Sequence, residues 1–203
     1  KHPERRVEIR ALDVTDDDAV FEVFHAFAND FGYLDRIIIN AGLGKGARIG
    51  TGKYYANRQT AMTNFVAALA QAEAAMEIFR EQKRGHLVFI SSMSAMRGMR
   101  KALNVYAATK AGVANLAEGL RSEMQSTPDL DVVVSTIYPG YIRSEMNEYV
   151  ENALFMVDTE TGVKAIVAAI EAEKADARVP SCPWWPLGTV IRNAPLRVVR
   201  RVI

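Results

Sequence analysis

Cysteine is almost absent from this 203-residue chain: Cys182 stands alone. That excludes a disulfide framework and a multi-cysteine zinc site, no metal site is expected, and a reducing cytoplasm is the expected compartment. Long apolar runs are missing too. No stretch reaches the ~18 uncharged apolar residues of a spanning helix, and Lys1-His2-Pro3-Glu4-Arg5-Arg6 is too polar to open a signal peptide. Nor does one sign of charge dominate, since 25 Lys+Arg against 24 Asp+Glu sum to +1. The balance is uneven along the chain. Residues 178–203 hold five arginines and no acid, which leaves 20 basic against 24 acidic groups, or −4, over residues 1–177. A mildly acidic body lacks the basic stripe that extended nucleic-acid binding requires. With 49% apolar and 24% charged residues, no repeat and no low-complexity tract, the chain reads as one globular domain.

Apolar and polar residues alternate over 7–13, which predicts a strand ending at Asp13. Thr15-Asp16-Asp17-Asp18 then offers capping oxygens, and Val20, Phe24, Phe27, Ala28 and Phe31 recur at helical spacing up to Gly32. Residues 34–40 form a short β-branched run, the pattern of a strand buried on both faces, and a glycine-rich loop follows over 43–52. A long helix is predicted over 57–83, rich in Ala, Gln, Glu and Met, and a third strand over 86–92. Then come a helix over 105–126, a strand over 130–138 ended by Pro139-Gly140, a helix over 161–173 and a proline-containing tail. Alternating apolar strands and helices predict an α/β fold, a doubly wound parallel sheet with helices on both faces. Ligands of such sheets sit outside the carboxyl ends of the strands. Asp13, Asn40-Ala41-Gly42, Ser91-Ser92 and Pro139-Gly140 would then share one rim.

Tyr106-Ala107-Ala108-Thr109-Lys110 sets a phenol and an ammonium four residues apart, on one helix face. A phenol with a reference pKa of ~10 exchanges protons poorly at neutral pH, and a nearby cation lowers that value. Ser92, at a strand end, is placed to offer a hydroxyl to the same substrate oxygen, and Asn64 to position a water or steady the lysine. Each signal alone has a plainer reading. Tyr106 and Lys110 could be a surface pair, Ser91-Ser92 a turn or cap, Asn64 a surface amide, Asn40 a partner for backbone groups, and Pro139-Gly140 a simple turn.

In this order and context, Asp13-Val14, Asn40-Ala41-Gly42, Asn64, Ser92, Tyr106-x-x-x-Lys110 and Pro139-Gly140 resemble the short-chain dehydrogenase/reductase family, over residues 7–146. The resemblance implies an oxidoreductase on a Rossmann-type three-layer fold. It would transfer hydride between NADP(H) or NAD(H), with a slight preference for NADP(H), and a carbonyl or secondary alcohol. It makes Tyr106 the acid/base, Lys110 its pKa-lowering partner and ribose ligand, Ser92 the group that orients the substrate oxygen, and Asn64 part of a proton relay. Cofactor contacts carried over are Asp13 and Val14 at the adenine, Asn40, Ala41 and Gly42 at the adenosine ribose, and Pro139, Gly140 and Ile142 at the nicotinamide. Ser144, where the family often has threonine, falls near the pyrophosphate.

The sequence departs from the family at its start. The strand, the Thr-Gly-x-x-x-Gly-x-Gly turn and the helix that hold a pyrophosphate are not among the 203 residues. By resemblance, residues 1–4 lead into the third strand, with about 50 residues expected before them, more than one βαβ unit of ~30. The alternative is a shortened, catalytically inactive relative that senses cofactor or acts as a scaffold. Ile39 replaces the first Asn of the usual Asn-Asn-Ala-Gly, and Ala67 and Ala68 lie near a common glycine position. Residues 1–178 are expected to form the Rossmann-type domain and residues 179–203 a basic, aromatic tail, packed on the body or at an interface, with a substrate lid or membrane-surface contact as the sharper alternatives. Family resemblance and the alanine-rich faces Ala67-Ala68, Ala70, Ala72, Ala74-Ala75, Ala111 and Ala114 predict a homodimer or homotetramer. Met146, Tyr149, Leu154, Phe155 and Met156 hint at a lipophilic substrate.

Overall fold

The computed structural model describes residues 4–145 and 155–202. Asp16 accepts from Ala19 N at 3.1 Å and so caps α1, Asp17–Phe31; Gly32, at φ +72°, closes it by donating to Ala28 O at 2.8 Å. The chain then enters β1, Arg36–Ile39. The predicted long helix begins earlier than expected, as α2, Tyr54–Ala61, and passes through a π-helical turn, Met62–Val66, into α3, Ala67–Gln82. β2 is Arg84–Ile90, followed by a 3₁₀ turn, Met93–Met96, and α4, Leu103–Gln125. β3 is Asp131–Pro139, α5 Thr159–Glu171 and β4 Asp176–Val179, and the chain closes with α6, Ser181–Asn193, and α7, Leu196–Val202.

The four strands lie in the order β1-β2-β3-β4, all parallel. Side chains alternate across the sheet and sort into two cores. Leu87, Phe89, Val132 and Val134 meet Ala72, Ala75, Met76 and Phe79 of α3 and Val113 and Ala117 of α4, with Phe24 and Ala28 of α1 at the margin. On the opposite face Val88, Ile137, Ala177 and Val179 lie beneath Ala169 and Ile170 of α5. Full burial of a side chain such as Phe89 contributes roughly 1.5–3 kcal/mol, and the repetition of such contacts sets the three layers. Arg121 of α4 ties β3 to β4, donating to Val134 O at 3.0 Å, Ala175 O at 2.6 Å and the Asp176 carboxylate at 2.8 Å.

Three expectations need correction. Residues 7–13 form no strand, and Val7 and Ile9 stand 75% and 89% exposed. In the usual order 3-2-1-4-5-6 a third strand pairs with the second, which is not among these residues, and alternation without a neighbour makes no ladder. Conversely, Asp176–Val179 is a strand that four residues were too few to announce. The segment after residue 179 is largely helical. In addition, Ala67, Ala68, Ala72, Ala74, Ala75 and Ala114 are buried inside the subunit, with Ala68, Ala72 and Ala75 in the core that α1 and α4 share with the sheet.

A polar row crosses the sheet from Arg36 of β1 through His86 of β2 to Ser135 of β3. Arg36 Nε donates to His86 Nδ1 at 2.8 Å and its guanidinium reaches Glu171 at 2.7 Å, while His86 Nε2 lies 2.8 Å from Ser135 Oγ. With Nδ1 accepting, the proton belongs on Nε2. Burial, then Arg36, hold the His86 pKa below its ordinary 6.5. A depressed folded pKa means that the unfolded chain takes up the proton first, so this stability is complete above about 6.5 and declines as pH falls below that value. The thermal midpoint should therefore drop from pH 7.5 to 5.5 in wild type, and less steeply in His86→Gln; equal slopes in the two proteins would refute the assignment.

Candidate active site

The carboxyl ends of β1, β2 and β3 deliver the candidate residues. After β1 the chain bends through Asn40, exposed, Ala41 and Gly42. Asn64, buried on the π-helical turn, takes Leu43 N on its Oδ1 at 2.6 Å and donates from Nδ2 to Leu43 O at 3.0 Å. It thereby staples the Gly42 loop. A Cβ on Gly42 would stand 3.4 Å from Lys110 Nζ and 3.5 Å from Asn64 Oδ1, so both polar groups face this glycine.

Beyond β2, Ser91 Oγ donates to Lys110 O at 2.8 Å, and Ser92 caps the 3₁₀ turn by accepting from Ser94 N at 3.2 Å. The first turns of α4 carry Tyr106 and Lys110 to this place. Thr109 Oγ1 closes the helix locally on Tyr106 O at 2.8 Å and receives a longer contact from Asn64 Nδ2 at 3.4 Å. Lys110, 5% exposed, donates from Nζ to Ile90 O at 2.8 Å and lies 6.0 Å from the Tyr106 ring centre. Ser92 lies near enough to the Tyr106 phenol to pull its pKa down. Ser92, Tyr106, Lys110, Asn64 and Gly42 therefore converge.

A profile described as short chain dehydrogenase matches residues 1–154. The chain belongs to this family. An uncharacterised oxidoreductase of Mycobacterium tuberculosis is 45% identical over 201 residues, which are 99% of this chain and 78% of that protein. One from Myxococcus xanthus is 34% identical over 179 residues, 88% of this chain and 68% of the relative. Among solved structures, a short chain dehydrogenase from Burkholderia cenocepacia, determined in complex with NADP, superposes with a TM-score of 0.82 at 21% identity, covering 98% of this chain and 82% of its own.

Electrostatics within the family motif depart from the sequence expectation. Burial pushes the Tyr106 phenol above its ordinary 10, the Ser92 hydroxyl pulls it down, and the Tyr141 phenol raises it again. Lys110 is not what shifts it, because its ammonium is turned to Ile90 O at 2.8 Å. Burial in turn lowers Lys110 itself to about 8.

The remaining residues are distributed as follows. Pro139 ends β3, and Gly140 N donates to Val179 O at 2.9 Å. Ile142 pairs with Val157 and fills the space over Gly162. Ser144 is exposed two residues beyond. Asp13, also exposed, accepts from Thr15 N at 2.9 Å in a local turn, and with Val14 stands off the sheet. Met146, Tyr149 and Leu154 lie outside the described residues. Sequence reasoning did not pair Tyr141 with Trp184 at the site. Their rings are 6.0 Å apart. The Trp184-Trp185 pair was the available signal, but Trp184 is buried whereas Trp185 is 64% exposed and takes Arg178 over its ring at 5.8 Å.

Proposed function

We infer that this chain carries the proton-transfer half of a nicotinamide-dependent carbonyl reductase or alcohol dehydrogenase. The observation that carries the reading is a buried ammonium, Lys110, 6.0 Å from the ring of a half-buried phenol, Tyr106, with the Ser92 hydroxyl close by, all at the carboxyl ends of neighbouring parallel strands.

A nicotinamide nucleotide fits one end of this site. Lys110 has three N–H groups and one protein acceptor, Ile90 O, among the described residues. The other two hydrogens suit ribose hydroxyls, and the glycine at 42 puts no side chain beside the ammonium. The glycine-rich turn for the pyrophosphate is not among these residues, so the fit is argued only for the nicotinamide ribose. NADP(H) is the first choice on the strength of the NADP complex of the Burkholderia protein.

When bound, the nucleotide supplies or accepts the hydride. In reduction, Tyr106 gives its phenolic proton to the carbonyl oxygen as negative charge develops there; in oxidation the phenolate takes that proton back. Ser92 holds the same oxygen and the phenol in register. Asn64 keeps the Gly42 loop in place. Lys110 would hold the nicotinamide ribose, and its charge would support phenolate formation at Tyr106. The substrate is a carbonyl compound or secondary alcohol with an apolar body, in keeping with Tyr141, Phe155 and Trp184.

The full-length protein should consume NADPH, or NADH more slowly, with at least one of cyclohexanone, decalone or ethyl acetoacetate, followed by nicotinamide absorbance. No turnover with either nucleotide across these ketones and their alcohols would overturn the reading.

A further inference from the structure

One face of α6 touches two loops of the site. Trp184 and Gly188 are four residues apart on that helix and share a face. A Cβ on Gly140 would fall 2.1 Å from both Nε1 and Cε2 of Trp184, so the indole edge lies against the backbone at the end of β3 in a way only glycine permits. Tyr141 at 6.0 Å and Phe155, edge-on at 6.2 Å, hold the ring from its sides. Trp184 is 5% exposed, and its Nε1 has no hydrogen-bond partner among the described residues. Close packing has therefore fixed the indole at the expense of a buried donor.

Gly188 makes the second contact. A Cβ there would meet Met93 Cε at 2.6 Å, and Met93 opens the turn that Ser92 caps. Arg97, just after that turn, donates to Arg192 O at 3.0 Å. From the sheet side, Arg178 of β4 anchors α6 by donating to Trp185 O at 2.6 Å and Thr189 Oγ1 at 2.7 Å. Tyr141, the residue next to Gly140, has its phenol near enough to Tyr106 to oppose its ionisation.

We propose that α6 is a substrate-selecting clamp in which Trp184 is a positioning residue, fixing Gly140 and Tyr141 opposite Tyr106 while Gly188 seats Met93 and, through it, Ser92. The helix thus sets the width of the gap in front of the phenol. It suits a carbonyl compound whose flat, apolar ring or chain lies along Tyr141, and it disfavours bulk directed at Gly140. The proposal rests on the reading of Tyr106 and Ser92 as the groups at the reacting oxygen.

Gly140→Ala, Trp184→Leu and the double variant of the full-length protein test it, read as the NADPH dissociation constant from nicotinamide fluorescence and as kcat and KM for the ketone that wild type reduces fastest. Gly140→Ala should raise KM about tenfold or more by driving the indole into the gap, with kcat changed less. Trp184→Leu vacates that space, so the double variant should return to within about threefold of Trp184→Leu alone. Trp184→Leu should also shift the preference between decalone and cyclohexanone by about tenfold and leave NADPH affinity within about threefold. Losses that simply multiply, or an unchanged KM and preference in Trp184→Leu, overturn the clamp. Should either variant fail to fold, Trp184→Phe keeps a ring and should still raise KM severalfold; an unchanged KM there also overturns it. A wild type that neither binds nucleotide nor reduces a ketone would instead refute the underlying functional reading.

Discussion

Lys110→Met should cost about two to four orders of magnitude in turnover and at the same time make the nucleotide-free protein more stable at pH 7. The two effects share one cause. Lys110 is buried, and among the described residues no carboxylate pairs with it and Ile90 O at 2.8 Å is its one protein acceptor. Burial lowers its pKa to about 8 from 10.5. Holding the charge in the fold below that value therefore costs about 3 kcal/mol relative to the unfolded chain. Methionine fills a similar volume without charge but leaves Ile90 O unpaired, so the expected net gain is about 1–3 kcal/mol. The sign can be checked against pH. Above about 8 the folded lysine is already neutral while the unfolded one stays protonated up to about 10.5, so wild type gains stability over that window and the advantage of the variant shrinks. Denaturant melts at pH 7 and 9.5 measure both quantities. A variant that is less stable at pH 7, or a pH-independent difference, would show that the ammonium is not a strained, functionally retained group.

Trading stability for chemistry in this way accounts for which parts of the molecule could be read from sequence. The apolar runs at 86–92 and 130–138 became strands because a parallel strand covered on both faces must be apolar throughout, a pattern with few alternatives, and the β-branched run at 34–40 became the edge strand β1 although only one of its faces is well covered. Asp16 and Gly32 bracketed α1 because caps are local chemistry. The alternation at 7–13 misled because a strand exists only with a neighbour, and Ile38 of β1, 46% exposed, lies on the thinly covered margin of the same sheet. No local signal marks the π-helical turn that carries Asn64, since insertion of one residue into a helix leaves propensities unchanged. The Tyr106 and Lys110 spacing was legible, but the direction in which Lys110 points depends on Ile90 O, a backbone atom from another element. Trp184 was visible as a residue and invisible as a neighbour of Gly140, because proline-containing α6 does not resemble a helix in sequence and its contacts are all long-range.

Tyr106→Phe should reduce turnover by about two to four orders of magnitude, and Ser92→Ala by about two to three, with neither changing the thermal midpoint much. The pair separates proton transfer from positioning. Phenylalanine removes the proton that the substrate oxygen exchanges but keeps the ring in its place between Ser92, Tyr141 and Lys110. Alanine at 92 leaves the phenol present but deletes the hydroxyl that holds its pKa down against burial and Tyr141. The residual activity of Ser92→Ala in alcohol oxidation, which needs the phenolate, should thus rise with pH along a profile displaced to more alkaline values than that of wild type. Ketone reduction, which needs the protonated phenol, should keep its neutral-pH plateau and extend it upward. In Tyr106→Phe the residual rate should lose that ionisation altogether. An unshifted oxidation profile in Ser92→Ala would mean that the serine orients substrate without tuning the phenol, and near-normal turnover in Tyr106→Phe would remove Tyr106 from the proton transfer.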